Sequence, residues 1–419
     1  MFGIPGTHNL ELYRPLAELG IRAVTTRHEQ GAGYGADGWA QADGPARRGD
    51  HHVRTRELQN AMSAVGTAFC ESRPLIVLSP GVARGDEFSD RGTLHETKDA
   101  SAMAGAVAQW SRRVASAAEA VDAVHDAFTL FRTGRPRPVH IEIPLDVLEA
   151  PADVPAAARE ARPAPAAAGG EPDAVRAAAA LIAASHDPVI VAGGGATAAA
   201  DAVTRLAERL GAPVLTTLNG KATVDEHHPL SLGSNLRLAA ARAVAEEADV
   251  LIVLGSKLGE AELWAPALAA RGAVVRVDVA AAQLRQEPHR DRGHHRRLRR
   301  GGRGAAGRTA GRREPEPEPA GAGSGAGPRG DRRRDRGVAA ETVALSRVIA
   351  DALPEHAIVA GDSSQIIYLG LANVLRRHRP HSLLYTPTYA TLGYGYPRRS
   401  APGSPRTTAP WPPSSATGR

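Results

Sequence analysis

A carboxylate set where a strand gives way to a helix can hold or pass a proton in a cleft, and Glu29 is so placed. It belongs to Arg27-His28-Glu29-Gln30-Gly31-Ala32-Gly33-Tyr34-Gly35-Ala36-Asp37-Gly38, which follows an apolar run of strand length. The Gly and Ala residues build a helix face small enough for another surface to approach closely, and the helix N-terminus favours the ionised acid. A plain helix-end charge is the competing reading. A second candidate is Gly193-Gly194-Gly195-Ala196-Thr197-Ala198, which fits G-x-G-x-x-A between a strand and a helix. No Asp or Glu closes the next strand, Pro213–Thr217, to hold a ribose, so a tight strand-to-helix turn competes with nucleotide binding. Cys70 is the only cysteine, which excludes an internal disulfide and any multi-cysteine metal site and fits a reducing compartment.

The elements that must position these groups read as alternating strands and helices. In residues 1–150, Ile21–Thr26, Leu75–Ser79 and Pro138–Pro144 have strand length, while Leu58–Glu71 and Ala118–Arg132 have helical periodicity. Residues 151–172 are rich in Ala and Pro and read as a linker. Residues 173–285 hold strands Pro188–Ala192, Pro213–Thr217, Val250–Gly255 and Ala273–Asp278 with helices Ala198–Leu210 and Leu238–Glu246. Residues 338–397 begin a third unit with helix Thr342–Ala352, strand Ala357–Gly361 and helix Ser364–Leu375. The pattern predicts an α/β protein of three doubly wound parallel-sheet domains, the third incomplete.

At 419 residues the chain has room for two or three domains with sizeable cores. No apolar run is long enough to span a membrane and no leader pattern opens the sequence, so a soluble cytoplasmic protein is expected. The net charge of +6 would suggest nucleic acid, but residues 286–337 carry 15 Arg against 7 Asp and Glu, and the remainder is slightly acidic. In that segment Leu298 is the only large apolar residue, so it reads as a disordered arm or as aberrant text, with no aromatic interleaved for nucleic-acid binding.

Taken together, these words resemble the thiamin diphosphate-dependent 2-oxo acid enzymes, the group of acetolactate synthase and benzoylformate decarboxylase. The resemblance rests on Phe2-Gly3-Ile4-Pro5-Gly6, the Glu29 segment, Leu94-His95-Glu96, Pro136-Arg137-Pro138-Val139-His140-Ile141-Glu142-Ile143-Pro144-Leu145-Asp146, and Asn219-Gly220-Lys221 with His228-Pro229-Leu230. It continues through Gly361-Asp362-Ser363-Ser364-Gln365 and Thr391-Leu392-Gly393-Tyr394-Gly395 in the family's order. It implies a pyrimidine-binding first domain, a Rossmann-like central domain and a diphosphate-binding third domain. The cofactor would sit between the first domain of one subunit and the third of another, so at least a homodimer is implied. Glu29 would hydrogen-bond the aminopyrimidine and promote its imino tautomer, the catalytic role. Ala390 would offer its carbonyl and Leu392 its N–H and side chain, with Gly393 in the same turn. Ser363, Ser364 and Gln365 lie near the diphosphate contacts, though a Ser helix cap fits equally. Asn60 joins the cofactor-binding set, and Thr7 and His8 are candidates for handling a small 2-oxo acid. The central domain carries FAD in acetolactate synthase and is empty in many decarboxylases; the sequence admits either, as it admits decarboxylation or carboligation. A nucleotide-binding module without catalysis, and an inactive product, are the other readings.

Three features of that family are missing: a Ser-Gly-Pro-Gly turn before Asn60, the closing elements of the second domain, and the Gly-Asp-Gly segment whose ligands bind Mg²⁺, so no metal ligand is assigned. Each gap falls on odd composition. Reading the last two bases of each codon with the first of the next, Gly49-Asp50-His51-His52-Val53-Arg54-Thr55-Arg56 admits Val-Ile-Thr-Thr-Ser-Gly-Pro-Gly. The same operation on Arg290 to Arg300 admits Ile-Ile-Gly-Asp. The opposite shift over Pro413-Ser414-Ser415-Ala416-Thr417-Gly418 admits Val-Ile-Gly-Asp-Gly. The expectation is a truncated, frame-shifted member with an aberrant tail at 398–419, a late start at Met1 and poor cofactor affinity.

Overall fold

The computed structural model describes residues 1–42, 52–54, 58–163, 165, 169–285 and 332–396. Three sheets, parallel throughout, carry the described chain. The first has six strands: β1 (Phe2–Gly3), β2 (Val24–Thr25), β3 (His52–Arg54), β4 (Leu75–Gly81), β5 (Trp110–Arg113) and β6 (Pro138–Pro144). Their order is β2-β1-β3-β4-β6-β5. β6 is buried along its whole length and β4 along its first five residues, which is why both read as runs of apolar residues rather than as alternation. One face packs Val65, Ala68 and Leu75 with Ala32 and Ala36; the other packs Ile76, Ile141 and Phe131 from helix Ala117–Thr133. Ser116 caps that helix by accepting from the Glu119 N–H.

The second sheet holds β7 (Pro188–Ala192), β8 (Val214–Thr216), β9 (Ser231–Gly233), β10 (Val250–Leu254) and β11 (Ala273–Val277) in the order β11-β10-β7-β8-β9. This is the doubly wound order of nucleotide-binding folds, with its reversal between β7 and β10. Helix Ala200–Leu210 ends at Gly211, whose φ of +61° supplies the left-handed stop. The third sheet pairs β12 (Val359–Ala360) with β13 (Leu383–Leu384), packed against helix Arg332–Ala352 and a π-helical turn at Ile366–Leu371.

Several elements differ from the sequence reading. β2 covers two residues rather than Ile21–Thr26, because it is an edge and Ile21 stays exposed. β3 forms inside the stretch read as frame-shifted: neighbours on both sides supply ladder partners that the local sequence does not advertise. β5, a polar Trp-Ser-Arg-Arg run, and the three-residue β9 carry no strand periodicity and were not expected. Helix Arg332–Ala352 begins ten residues ahead of Thr342, inside the segment read as disordered. The expected helix Ser364–Leu375 is instead the π-helical turn followed by helix Ala372–Val374. The remaining frame-shift expectations, at 49–51, 55–56, 286–331 and 398–419, lie outside the described residues. Among the described residues no helix is long and apolar enough to cross a membrane.

Candidate active site

Glu29 opens helix Glu29–Ala42 directly after β2. The turn before it is fixed by Thr26 Oγ1 donating to the His28 carbonyl, and by the Gln30 N–H donating to His28 Nδ1. Glu29 is 4% exposed, and its Oε2 accepts from Asn60 Nδ2 at 3.0 Å. Asn60 stands on the first turn of helix Leu58–Cys70, so the two helices bring the pair together. The helices touch closely because Gly33 faces Ala64: a side chain at Gly33 would clash with the Ala64 methyl. Among the described residues no other hydrogen bond reaches the Glu29 side chain.

The turn at residues 390–393 reaches the same helix. Tyr34, fully buried one turn beyond Glu29, lies 2.6 Å from Thr391 Oγ1 and accepts from Gln30 Nε2 at 3.2 Å. Its ring meets Tyr394 edge-on at 5.1 Å between centroids. Burial pushes the Tyr34 phenol up from its ordinary value, so it stays a neutral hydrogen-bonding group. Ala390 and Gly393 both have positive φ, +53° and +78°, and at Ala390 this is a strained conformation for a residue with a side chain. Leu392 is 67% exposed, and Ala390 and Gly393 are exposed as well. The base of the turn is held by Asp362, whose Oδ1 accepts from the Tyr394 and Gly395 N–H groups at 2.6 Å each. Ser363 Oγ lies 3.4 Å from the Tyr385 hydroxyl, Ser364 Oγ donates back to the Asp362 carbonyl at 3.4 Å, and Gln365 is exposed. Neither serine side chain caps the following helical turn.

Thr7 and His8 lie in a short 3₁₀ turn after Gly6, where Asn9 accepts from the Gly6 N–H. The His8 ring meets His95 edge-on at 5.5 Å, and both line a cavity of about 310 Å³ at the C-terminal ends of β4 and β6. Asp86, Glu87, Lys98, Asp99, Ser101, Arg113 and Glu142 also line it. Arg113 pairs with Glu142 and with Glu87 at 2.8 Å, while Ser101 donates to Glu142 at 2.6 Å.

A second cleft, about 1260 Å³, opens between the first and second sheets at the β7/β10 reversal. Gly194 and Gly195 line it, but a side chain on Gly193 or Gly195 would strike the backbone of Gly255, so this turn needs glycine for close packing of two loops. Asp278, just past β11, is held by Arg135 at 2.7 Å, and Lys257 Nζ donates to the Cys70 carbonyl. Burial pushes the Glu262 carboxyl on this cleft up to about 7.

Sequence reading passed over Asp362, Tyr34 and Tyr394, although Asp362 lies inside the Gly-Asp-Ser-Ser-Gln word and Tyr34 inside the Glu29 segment. Comparison with known proteins bears on the whole constellation. The N-terminal thiamine pyrophosphate (TPP) binding domain of the thiamine pyrophosphate enzymes matches residues 1–103, and their central domain matches residues 175–295. The chain is 36% identical over 419 residues to a probable 2-ketoarginine decarboxylase of Pseudomonas aeruginosa, covering 95% of this chain and 70% of that one. It is 32% identical over 308 residues to a probable acetolactate synthase large subunit of Methanocaldococcus jannaschii, covering 68% of this chain and 49% of that one. It is also 32% identical over 299 residues to the acetolactate synthase isozyme 1 large subunit of Escherichia coli, covering 68% and 51%. The chain therefore spans about half the length of these two synthases.

Proposed function

We propose, since this chain belongs to the thiamine pyrophosphate enzyme family, that it cleaves a 2-oxo acid with loss of carbon dioxide and that Glu29 is its catalytic residue. The observation that carries this reading is a buried carboxylate at a helix N-terminus with one amide partner and an oxygen that accepts from no other described residue. That donor set suits a protonated ring nitrogen, so the residues present fit the aminopyrimidine end of thiamin diphosphate. Burial and the Asn60 amide orient the carboxylate, which shares a proton with the ring. In a dimer, the exposed Ala390 and Leu392 backbone would grip the ring held at Glu29 of the other copy, with Gly393 giving the turn its shape. Ser363, Ser364 and Gln365 would face the diphosphate, and Mg²⁺ would accompany it. When bound, the cofactor supplies the electron sink for breaking the bond between the carbonyl and carboxylate carbons.

The substrate would enter the cavity beside His8 and His95. His8 and Thr7 would position its carbonyl end. Four carboxylates, Asp86, Glu87, Asp99 and Glu142, outnumber Lys98 and Arg113 on the wall, and this net acidity favours a cationic side chain, in keeping with the 2-ketoarginine for which the Pseudomonas relative is named. Exposed Leu392 and Tyr396, 67% and 79%, suit cover by a second copy, so at least a dimer is included in the proposal. FAD in the larger cleft is the competing cofactor reading, and flavin absorbance in purified protein supports or removes it.

The test is carbon dioxide release from a guanidinium-bearing 2-oxo acid and from pyruvate, at saturating thiamin diphosphate and Mg²⁺, for the native chain and Glu29→Gln. Cofactor-dependent release that Glu29→Gln abolishes supports the proposal. Release unchanged in the variant, or none from either acid, overturns it, and acetolactate formed from pyruvate replaces decarboxylation by carboligation.

A further inference from the structure

The loop after β8 meets the segment after helix Ala372–Val374 along a short, tightly held seam. The Glu226 N–H donates to the Arg377 carbonyl at 3.0 Å, and the Arg377 N–H returns to Glu226 Oε2 at 2.9 Å. Both residues are buried, and Glu226 also accepts from the buried Lys221 Nζ at 2.7 Å. This fixed pair sets their neighbours Asp225, His227 and His378 side by side, half-buried or exposed. His227 Nδ1 lies 3.1 Å from Asp225 Oδ1, and His378 Nδ1 lies 2.9 Å from Oδ2 of the same carboxylate. The two rings stack with centroids 4.2 Å apart and 13° between planes. On its far side, His378 Nε2 faces Glu355 at 3.2 Å.

We propose that Asp225, His227 and His378 form a binding site for a borderline divalent transition-metal ion of the zinc class, at the junction of the second and third sheets. One donor atom from each residue lies within 4.8 Å of the other two. Donors bound to one zinc at its usual bond lengths sit roughly 3.3 Å apart, so small side-chain rotations bring this set onto an ion. Two imidazoles and one carboxylate select zinc, cobalt, nickel or copper over magnesium and calcium, which prefer an all-oxygen shell. The Glu355 carboxylate behind His378 is the arrangement that orients a ligating ring and raises its basicity. Water completes the shell on the exposed side. None of these residues belongs to the proposed thiamin site, so the two proposals fail independently.

The experiment is calorimetric titration of Zn²⁺ into the full chain, freed of any affinity tag, with Co²⁺ absorption as a spectroscopic probe. One equivalent should bind, weakened by about tenfold or more in His227→Ala and in His378→Ala and by about tenfold in Glu355→Gln. All three variants lie on the exposed side of the seam, and unchanged circular dichroism confirms that each still folds. Co²⁺ should give the visible bands of a low-coordinate nitrogen and oxygen site, lost in the double His227→Ala, His378→Ala variant. Absence of saturable Zn²⁺ binding, or binding that the double variant leaves unchanged, overturns the proposal and leaves a hydrogen-bonded cluster around Asp225.

Discussion

The guanidinium of Arg73 meets the fully buried carboxylate of Asp37 at 2.7 Å, and from that one point it bonds to groups beside all three described sheets. Its Nη1 also donates to the Tyr394 hydroxyl at 2.5 Å, which in turn donates to Asp37. Its Nη2 donates to Asn219 Oδ1 in the second unit and to the Tyr385 carbonyl in the third, at 3.1 Å each. Glu71, two residues earlier, accepts from Asn219 Nδ2 and from the Thr388 N–H. The arrangement places the C-terminal turn on the helix that begins with Glu29.

Arg73→Ala removes one partner of this pair and leaves Asp37 charged in the interior. The expected loss is about 3 to 5 kcal/mol, from the desolvated carboxylate more than from the lost pair itself. Arg73→Lys should recover only part of it, since an ammonium cannot reproduce a fork that reaches Asp37, Asn219 and Tyr385 together. Urea unfolding of the three proteins measures both differences, and an Arg73→Ala loss below about 1 kcal/mol contradicts the role.

Gly66 tests how the turn at 390–393 is seated. A methyl there would lie 2.5 Å from Tyr389 Cζ. Tyr389 is 44% exposed, so its ring has room to swing outward, and Gly66→Ala should cost only about 1 kcal/mol of stability. The displaced ring carries Ala390 with it, so thiamin diphosphate binding should weaken more than stability does. Cofactor titration by fluorescence quenching alongside thermal unfolding separates the two effects, and equal small losses in both dissociate the turn from the cofactor.

His140 gives a pH dependence with a definite sign. On fully buried β6 its ring lies between Ser79 Oγ and Ser111 Oγ, 2.7 Å from each. Burial pushes its pKa down to about 4 from 6.5. Above pH 6.5 the ring is neutral whether folded or unfolded, and the fold keeps its full stability. As pH falls from 6.5 to 4 the unfolded chain takes up a proton that the folded chain refuses, so stability drops, by at most about 3 kcal/mol. Below 4 both forms are protonated and the loss stops growing. His140→Asn should flatten this part of the stability profile relative to the native chain, whatever constant packing cost it adds. An unchanged slope in denaturation between those pH values removes His140 as its source.

The parts of this fold that were legible are those where burial is continuous. Pro138–Pro144 and Pro188–Ala192 read residue for residue because fully buried parallel strands are apolar runs bounded by breakers. Trp110–Arg113 and His52–Arg54 were opaque, since their strand state is imposed by ladder partners rather than by their own pattern. At the site, Glu29 stood out by type and neighbourhood, while Asn60 entered only through the family resemblance. Their hydrogen bond, and the contact between Tyr34 and Thr391 across more than three hundred residues, exist only once the helices and the C-terminal turn are packed. Asp225, His227 and His378 show the same limit: two of them are neighbours in sequence, and the third arrives through the Glu226–Arg377 seam.

Asp362 offers the most direct way to separate fold from function in the turn. Its Oδ1 accepts two backbone N–H groups, from Tyr394 and Gly395, at 2.6 Å each, and so closes the base of residues 390–393. Asp362→Ala strands both donors and should cost about 2 to 3 kcal/mol, the range for bonds to a charged acceptor. Asp362→Asn keeps an oxygen in the same place and should lose less than half of that. If the turn grips the aminopyrimidine, thiamin diphosphate affinity should follow the same order, native above Asp362→Asn above Asp362→Ala, under conditions where all three remain folded by circular dichroism. Should Asp362→Ala stay folded and bind the cofactor as the native chain does, Ala390, Leu392 and Gly393 lose their proposed role, while that of Glu29 stands or falls with its own substitution.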